Sequence, residues 1–131
     1  MILLTVLLLA CGSSKPRVEY VEAQQGIVIL PVSQIADVEG PTAIRLGGPD
    51  PRLPVWLHAS EELDFHAIAT RCHRGRCGVR YEPDDDRFVC SCTDEEFRPD
   101  GSAVERRKPP LVTYPIDYRN ETILIDLSPA R

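Results

Sequence analysis

The chain has 131 residues, of which 43% are hydrophobic and 27% charged. That balance excludes a disordered chain, which would carry fewer branched and aromatic side chains, and the length allows one domain with a modest core. With Lys+Arg 15 against Asp+Glu 20 the net charge is -5, so the surface as a whole does not attract a phosphate backbone and nucleic acid is not an expected partner.

The first element is apolar. Ile2 to Leu9 is hydrophobic apart from Thr5 and runs into Leu8-Leu9-Ala10-Cys11. Such a run is too short for a helix across a hydrocarbon layer of about 30 Å, which takes roughly 20 residues, and it fits an export signal. The Leu-Leu-Ala-Cys tetrad resembles the lipobox of bacterial lipoproteins. That resemblance implies that residues 1–11 are a signal segment ending at a lipidated Cys11. No Lys or Arg precedes the run, a departure from such signals that leads to the expectation of a start upstream of Met1. Residues 12–16, Gly-Ser-Ser-Lys-Pro, read as a flexible tether, and residues 17–131 as the folded domain. The expected location is an exported one, anchored by lipid, with the outer membrane facing the periplasm preferred. Setting Cys11 aside leaves Cys72, Cys77, Cys90 and Cys92, an even number in a compartment that permits disulfides, so they are expected to be paired or metal-bound.

Strand-length runs follow in close succession: Val18 to Val21, Ile27 to Val32, Thr42 to Leu46, Pro54 to His58, Leu63 to Ala69, Val79 to Tyr81, Arg87 to Cys90, Leu111 to Ile116 and Thr122 to Leu127. Turn-forming clusters separate them, including Gly47-Gly48-Pro49-Asp50, Asp84-Asp85-Asp86, Pro99-Asp100-Gly101 and Arg119-Asn120. No run keeps a helical period for three turns, and Pro 12 and Gly 8 spread along the chain oppose long helices. The expected class is all-β, a small antiparallel barrel or sandwich.

Two stretches carry a resemblance. They are Ala67 to Tyr81, with Cys72-His73-Arg74-Gly75-Arg76-Cys77 at its centre, and Arg87 to Phe97, with Cys90-Ser91-Cys92-Thr93-Asp94-Glu95, followed by Asp100-Gly101. Together they resemble the two cluster-binding loops of the Rieske family, Cys-x-His-x-Gly-Cys and Cys-Pro-Cys-His-Gly-Ser. All four cysteines, Phe88, Phe97 and the Asp100-Gly101 turn match without a gap, and a weaker likeness runs from the Ile27 strand to Tyr114-Pro115-Ile116. The resemblance implies a Rieske-like β fold with both cysteine loops at one tip.

It also implies a ligand set that this chain lacks. In a Rieske centre two Cys hold one iron and two His the other. Cys72 and Cys90 stand at the Cys ligand positions, while Arg74 and Thr93 stand at those of the two His. Neither replaces an imidazole: a guanidinium stays protonated and a neutral hydroxyl is a poor iron ligand. A shift by one residue brings His73 toward the pattern but puts Arg71 at a cysteine position and leaves Thr93 unchanged. Ser91, Asp94, Glu95 and Arg76 replace further loop residues, and the covering third loop reads Arg106-Arg107-Lys108-Pro109-Pro110. The resemblance implies a Cys77–Cys92 disulfide, and the emptied iron site adds a Cys72–Cys90 pair, subject to their Cα atoms coming within about 7 Å. The expectation is therefore no cofactor, with a 2Fe-2S centre of unusual ligation as the alternative. A four-cysteine zinc site is a weaker option, since export oxidises thiols before metal reaches them.

Seven cations, Arg71, Arg74, Arg76, Arg80, Arg106, Arg107 and Lys108, give an acidic protein a basic tip. They are expected to be solvated or paired with Asp94, Glu95 and Glu96. The sharper alternative docks an anionic envelope partner on Arg71, Arg74, Arg76, Arg106, Arg107 and Lys108. Asp84-Asp85-Asp86 lacks calcium-loop spacing and reads as a solvated hairpin tip. His58 and His66 read as partly buried or surface strand residues, not ligands. No Ser/His/Asp arrangement or phosphate loop is present, so no catalytic site is expected. Cys90-Ser91-Cys92 suggests thiol–disulfide exchange only weakly, having no helix start to lower a thiol pKa.

Overall fold

The computed structural model describes residues 16–35, 40–60, 62–72 and 76–128. Its strands are β1 Val18–Tyr20, β2 Ala23–Gln24, β3 Ile27–Pro31, β4 Thr42–Gly47, β5 Val55–Ala59, β6 Phe65–Ala69, β7 Arg71–Cys72, β8 Cys77–Glu82, β9 Arg87–Cys90, β10 Glu96–Phe97, β11 Thr113–Tyr114, β12 Ile116–Arg119 and β13 Thr122–Asp126, with a single 3-10 turn at Val32–Gln34 among the described residues. Each run expected from the sequence contains a strand. Leu111 to Ile116 instead divides into β11 and the first residue of β12, while β2, β7 and β10 are two-residue strands, too short to show any alternation.

The strands form three sheets among the described residues, ordered β1-β4-β5-β6-β11, β12-β13-β3-β2 and β10-β9-β8-β7. All ladders are antiparallel except β1 on β4, where Val18 to Tyr20 run parallel to Arg45 to Gly47. Alternation along the strands explains the layering, because successive side chains point to opposite faces. Ile44 and Leu46 of β4, Val55 and Leu57 of β5, and Phe65 and Ala67 of β6 pack against Val28, Leu30, Ile123 and Ile125. Neighbouring residues of opposite parity on the same strands, Ala43, Trp56 and Ile68, pack on the other side against Cys72, Val79, Phe88, Cys90 and Phe97. The five-stranded sheet is thus the middle layer, and β5 reads Val-Trp-Leu-His-Ala because it is covered on both faces.

That middle layer carries the cysteine sheet. The Trp56 Nε1–H donates to Val79 O at 2.9 Å within the core, and the Thr70 hydroxyl donates to Pro54 O at 3.1 Å. These bonds fix β8 and the start of the first cysteine loop to β5. At the opposite end of the cysteine sheet, the Arg98 to Ser102 turn needs Gly101. Its φ is +89, and a Cβ there would lie 2.8 Å from Thr113 Cγ2.

Candidate functional site at the cysteine tip

β7 and β8 form a tight hairpin in which Cys72 stands directly opposite Cys77, and β8 pairs with β9 so that Val79 faces Cys90. The second loop leaves β9 and closes on itself: Asp94 N–H donates to Cys90 O at 2.9 Å and Cys90 N–H to Glu95 O at 2.9 Å. Asp94 takes the left-handed conformation, φ 56, at the position where the family pattern has Gly. Asp tolerates that region better than most side chains. The Ser91 N–H then donates to Gly78 O at 3.0 Å and ties the two loops together.

Within this frame Cys72 bonds to Cys90 and Cys77 to Cys92, with Cα separations of 5.9 and 5.8 Å. Both separations suit an unforced bridge. The bridges differ in surroundings. Cys72 and Cys90 are 1% and 0% exposed, whereas Cys77 is half-buried and Cys92 is at the surface. The Sγ atoms of Cys72, Cys77 and Cys90 all lie within 4.8 Å of one another, so the inner bridge and the outer bridge are in contact.

Thr93 is exposed, and its Oγ1 accepts from the Glu95 N–H at 3.4 Å in a local turn. Arg74 and His73 lie outside the described residues, as does Cys11. Two thiolates spent on each other and a hydroxyl turned to solvent do not make the donor set of a two-Cys, two-His centre.

Of the basic residues, Arg71, Arg76, Arg106 and Arg107 are exposed. Lys108 Nζ lies 3.9 Å from Glu95, and Arg80 pairs with Glu82 at 2.8 Å and with Asp94 at 3.8 Å. The Val104 N–H donates to Glu96 O at 2.9 Å. The third loop therefore packs beside the second, and two cations meet acidic partners there. Exposed pairs of this kind contribute little to stability.

Two sequence expectations are corrected. His58 is neither a partly buried nor a surface strand residue but 2% exposed, because it alternates with Leu57 on β5 and points under the β8–β9 hairpin. Asp86 is not a purely solvated tip residue. Its Oδ1 lies 2.7 Å from His58 Nε2 and accepts the Tyr81 hydroxyl at 2.5 Å. Phe88 packs edge-on to His58 with centroids 6.1 Å apart. The sequence offered only a faint signal of this cluster, namely a Tyr and an Asp flanking a hairpin turn. The pairing depends on the middle sheet supplying His58, a contact remote in the chain. His66, by contrast, is partly exposed beside Asp64 at 3.2 Å.

The cluster sets a pH window. Burial pushes the Asp86 carboxyl up, but hydrogen bonds from Tyr81 and His58 outweigh it and hold the group below its ordinary 3.8. Burial, reinforced by the Asp86 carboxylate, holds the Tyr81 phenol above its ordinary 10.0. A depressed carboxyl stabilises the fold above its unfolded pKa and loses that contribution as pH falls through the folded value. A raised phenol stabilises the fold below its unfolded pKa and loses that contribution as pH rises. Tyr81→Phe should therefore cost about 1 kcal/mol near neutral pH. The wild-type minus variant difference in urea unfolding free energy should shrink as pH rises above 10.0. A difference that stays constant across alkaline pH would remove the phenol from this account.

No protein-family model and no curated protein matches the sequence. Among solved structures, the chain is similar to the cyanobacterial plasma membrane Rieske protein PetC3 from Synechocystis PCC 6803, with a TM-score of 0.57 at 21% identity over 76% of this chain and 98% of that one. At that identity the likeness concerns the arrangement of strands alone.

Proposed function

We propose, from the premise that this chain has a Rieske-like fold with its four tip cysteines in two disulfides, that it is a cluster-less binding or structural module of the cell envelope. The observation that carries the reading is the Cys72–Cys90 bridge. Those cysteines stand at the thiolate ligand positions of the family pattern, and a disulfide sulfur has no charge to offer iron. Thr93 and Arg74 at the two imidazole positions support the same reading. In this account Cys11 carries the lipid and residues 12–16 tether the domain to the membrane, with the outer membrane facing the periplasm as its place. The basic tip then meets an anionic envelope protein through Arg71, Arg74, Arg76, Arg106, Arg107 and Lys108. Surface cations act mainly on encounter rate and orientation. Among the described residues no helix is long and apolar enough to cross a membrane, and the proposed attachment is the lipid.

A native mass spectrum of the protein purified without reductant from the exported compartment tests the reading. The expected result is a metal-free mass short by four hydrogens, the count for two bridges. Two irons with two sulfides would overturn it and favour the second reading, a Rieske-type electron carrier with unusual ligation. That second reading draws on the likeness to PetC3 and on three sulfurs gathered within 4.8 Å. For the partner, in-cell crosslinking of the lipidated chain should lose its product when Arg106 and Arg107 are both changed to Glu. Unchanged crosslinking would remove the basic tip from the interface.

A further inference from the structure

Two disulfides in contact, one at the surface and one in the core, have a chemical consequence that a single staple lacks. Disulfides exchange when a thiolate reaches a bridge sulfur, so access and thiolate character decide which bridge reacts. Cys92 is exposed, while the inner bridge of Cys72 and Cys90 is 1% and 0% exposed and closed to any external thiol. The residue that joins the two environments is Cys77, which is partly buried and has its Sγ within 4.8 Å of both inner sulfurs.

We infer that the tip is a thiol–disulfide relay, in which an external protein dithiol exchanges with the outer bridge and Cys77 passes the exchange to the inner one. The inference rests on the two-bridge part of the proposed function and adds an activity to it. In the first step a thiolate of the dithiol attacks Cys92 Sγ, the Cys77–Cys92 bond breaks, and Cys77 leaves as a thiolate. The partner's second thiolate attacks its own sulfur in the mixed disulfide, which closes the partner's disulfide and releases Cys92. The dithiol has lost two electrons and two protons, and Cys77 and Cys92 have gained them.

In the second step the Cys77 thiolate attacks Cys72 Sγ, the Cys72–Cys90 bond breaks, and Cys90 takes the electron pair as a thiolate, with no net oxidation. Cys72 is the natural target because it stands directly opposite Cys77 in the β7–β8 hairpin, where opposed Cβ atoms approach to about 4.5–5.5 Å, close to the spacing of a bridge. The new Cys72–Cys77 bond includes a partly exposed residue, Cys77. A second dithiol attacks Cys77 Sγ, Cys72 leaves as a thiolate, and the dithiol's other thiolate closes its own disulfide and releases Cys77, so the core sulfurs are reduced without a reductant entering the core. Arg76 is exposed and adjoins Cys77 in the chain, and a neighbouring guanidinium favours a thiolate over a thiol.

The test uses the full lipidated chain, reduced glutathione as the attacking thiol, iodoacetamide as the trap and peptide mapping as the readout. The wild type should first show glutathione on Cys92 with Cys77 alkylated, and Cys72 and Cys90 should be alkylated only later. Cys77→Ser and Cys92→Ser both remove the outer bridge and open the tip alike, but only Cys92→Ser keeps the attacking sulfur. Cys92→Ser should therefore yield a Cys72–Cys77 peptide beside Cys72–Cys90, and its inner bridge should be reduced at least about tenfold faster than that of Cys77→Ser. Equal rates, or Cys72–Cys90 as the sole pairing in Cys92→Ser, overturn the relay. Should the variants fail to fold, the wild-type order decides, and inner thiols trapped before Cys77 overturn it too. A starting map without Cys72–Cys90 sinks the proposed function and the relay together, while a correct map with no exchange sinks the relay alone.

Discussion

Phe88→Ala should cost about 3–5 kcal/mol, the range for emptying a fully buried aromatic site. Phe88 is 0% exposed, and its ring lies 6.1 Å from Trp56, 6.1 Å from His58 and 5.2 Å from Tyr81, centroid to centroid. Trp56 and His58 come from β5 of the middle sheet and Tyr81 from β8 of the cysteine sheet, so no single neighbour can collapse into the space that the phenyl leaves. The middle and cysteine sheets meet through this ring, and their separation should follow its loss. The chain has one Trp, and it touches Phe88, so a single fluorophore reports the site directly. Urea unfolding followed by that fluorescence should show a large fall in midpoint, together with an emission shift in the folded baseline. A loss under about 1 kcal/mol would mean that the second core is not organised around Phe88.

Removing both bridges is the second large effect. The inner bridge spans 18 residues and the outer one 15, and in the chain-entropy account each loop alone is worth about 3 kcal/mol. The loops share the stretch from Cys77 to Cys90, so once one is closed the other constrains an unfolded chain that is already restricted. Cys72→Ala with Cys90→Ala should therefore cost less through the unfolded chain than that figure, because Cys77–Cys92 still holds most of the same segment. Replacing all four cysteines by Ala should cost at least about 3 kcal/mol, against total stabilities of about 5–15 kcal/mol for domains in general. Unfolding of the three proteins side by side checks this. A double variant as unstable as the quadruple one would show that the outer bridge contributes nothing on its own.

Much of the fold was legible in the sequence. The strand runs from Ile27, Thr42, Pro54, Leu63, Arg87 and Thr122 stood out because short apolar or alternating runs between turn-forming clusters leave a pattern that needs no knowledge of partners. β2, β7 and β10 left no trace, since two residues cannot alternate, and they exist as strands only through neighbouring backbone. The parallel pairing of β1 with β4 was equally silent, because strand direction depends on how the chain returns and not on local composition.

At the tip, the sequence by itself determined the chemistry available: four cysteines in two spaced pairs, no imidazole at Thr93, and cations crowding both flanking loops. These follow from residue identity and spacing along one stretch of chain. Only the tertiary structure decided what those residues meet. The β7–β8 register sets Cys72 opposite Cys77, the packing of the cysteine sheet on β5 buries one bridge and leaves Cys92 outside, and the same packing brings His58 under the hairpin to Asp86 and Tyr81. The physical reason is that burial and sulfur-to-sulfur distance are properties of the contact between sheets, and that contact joins segments whose sequences carry no mark of one another.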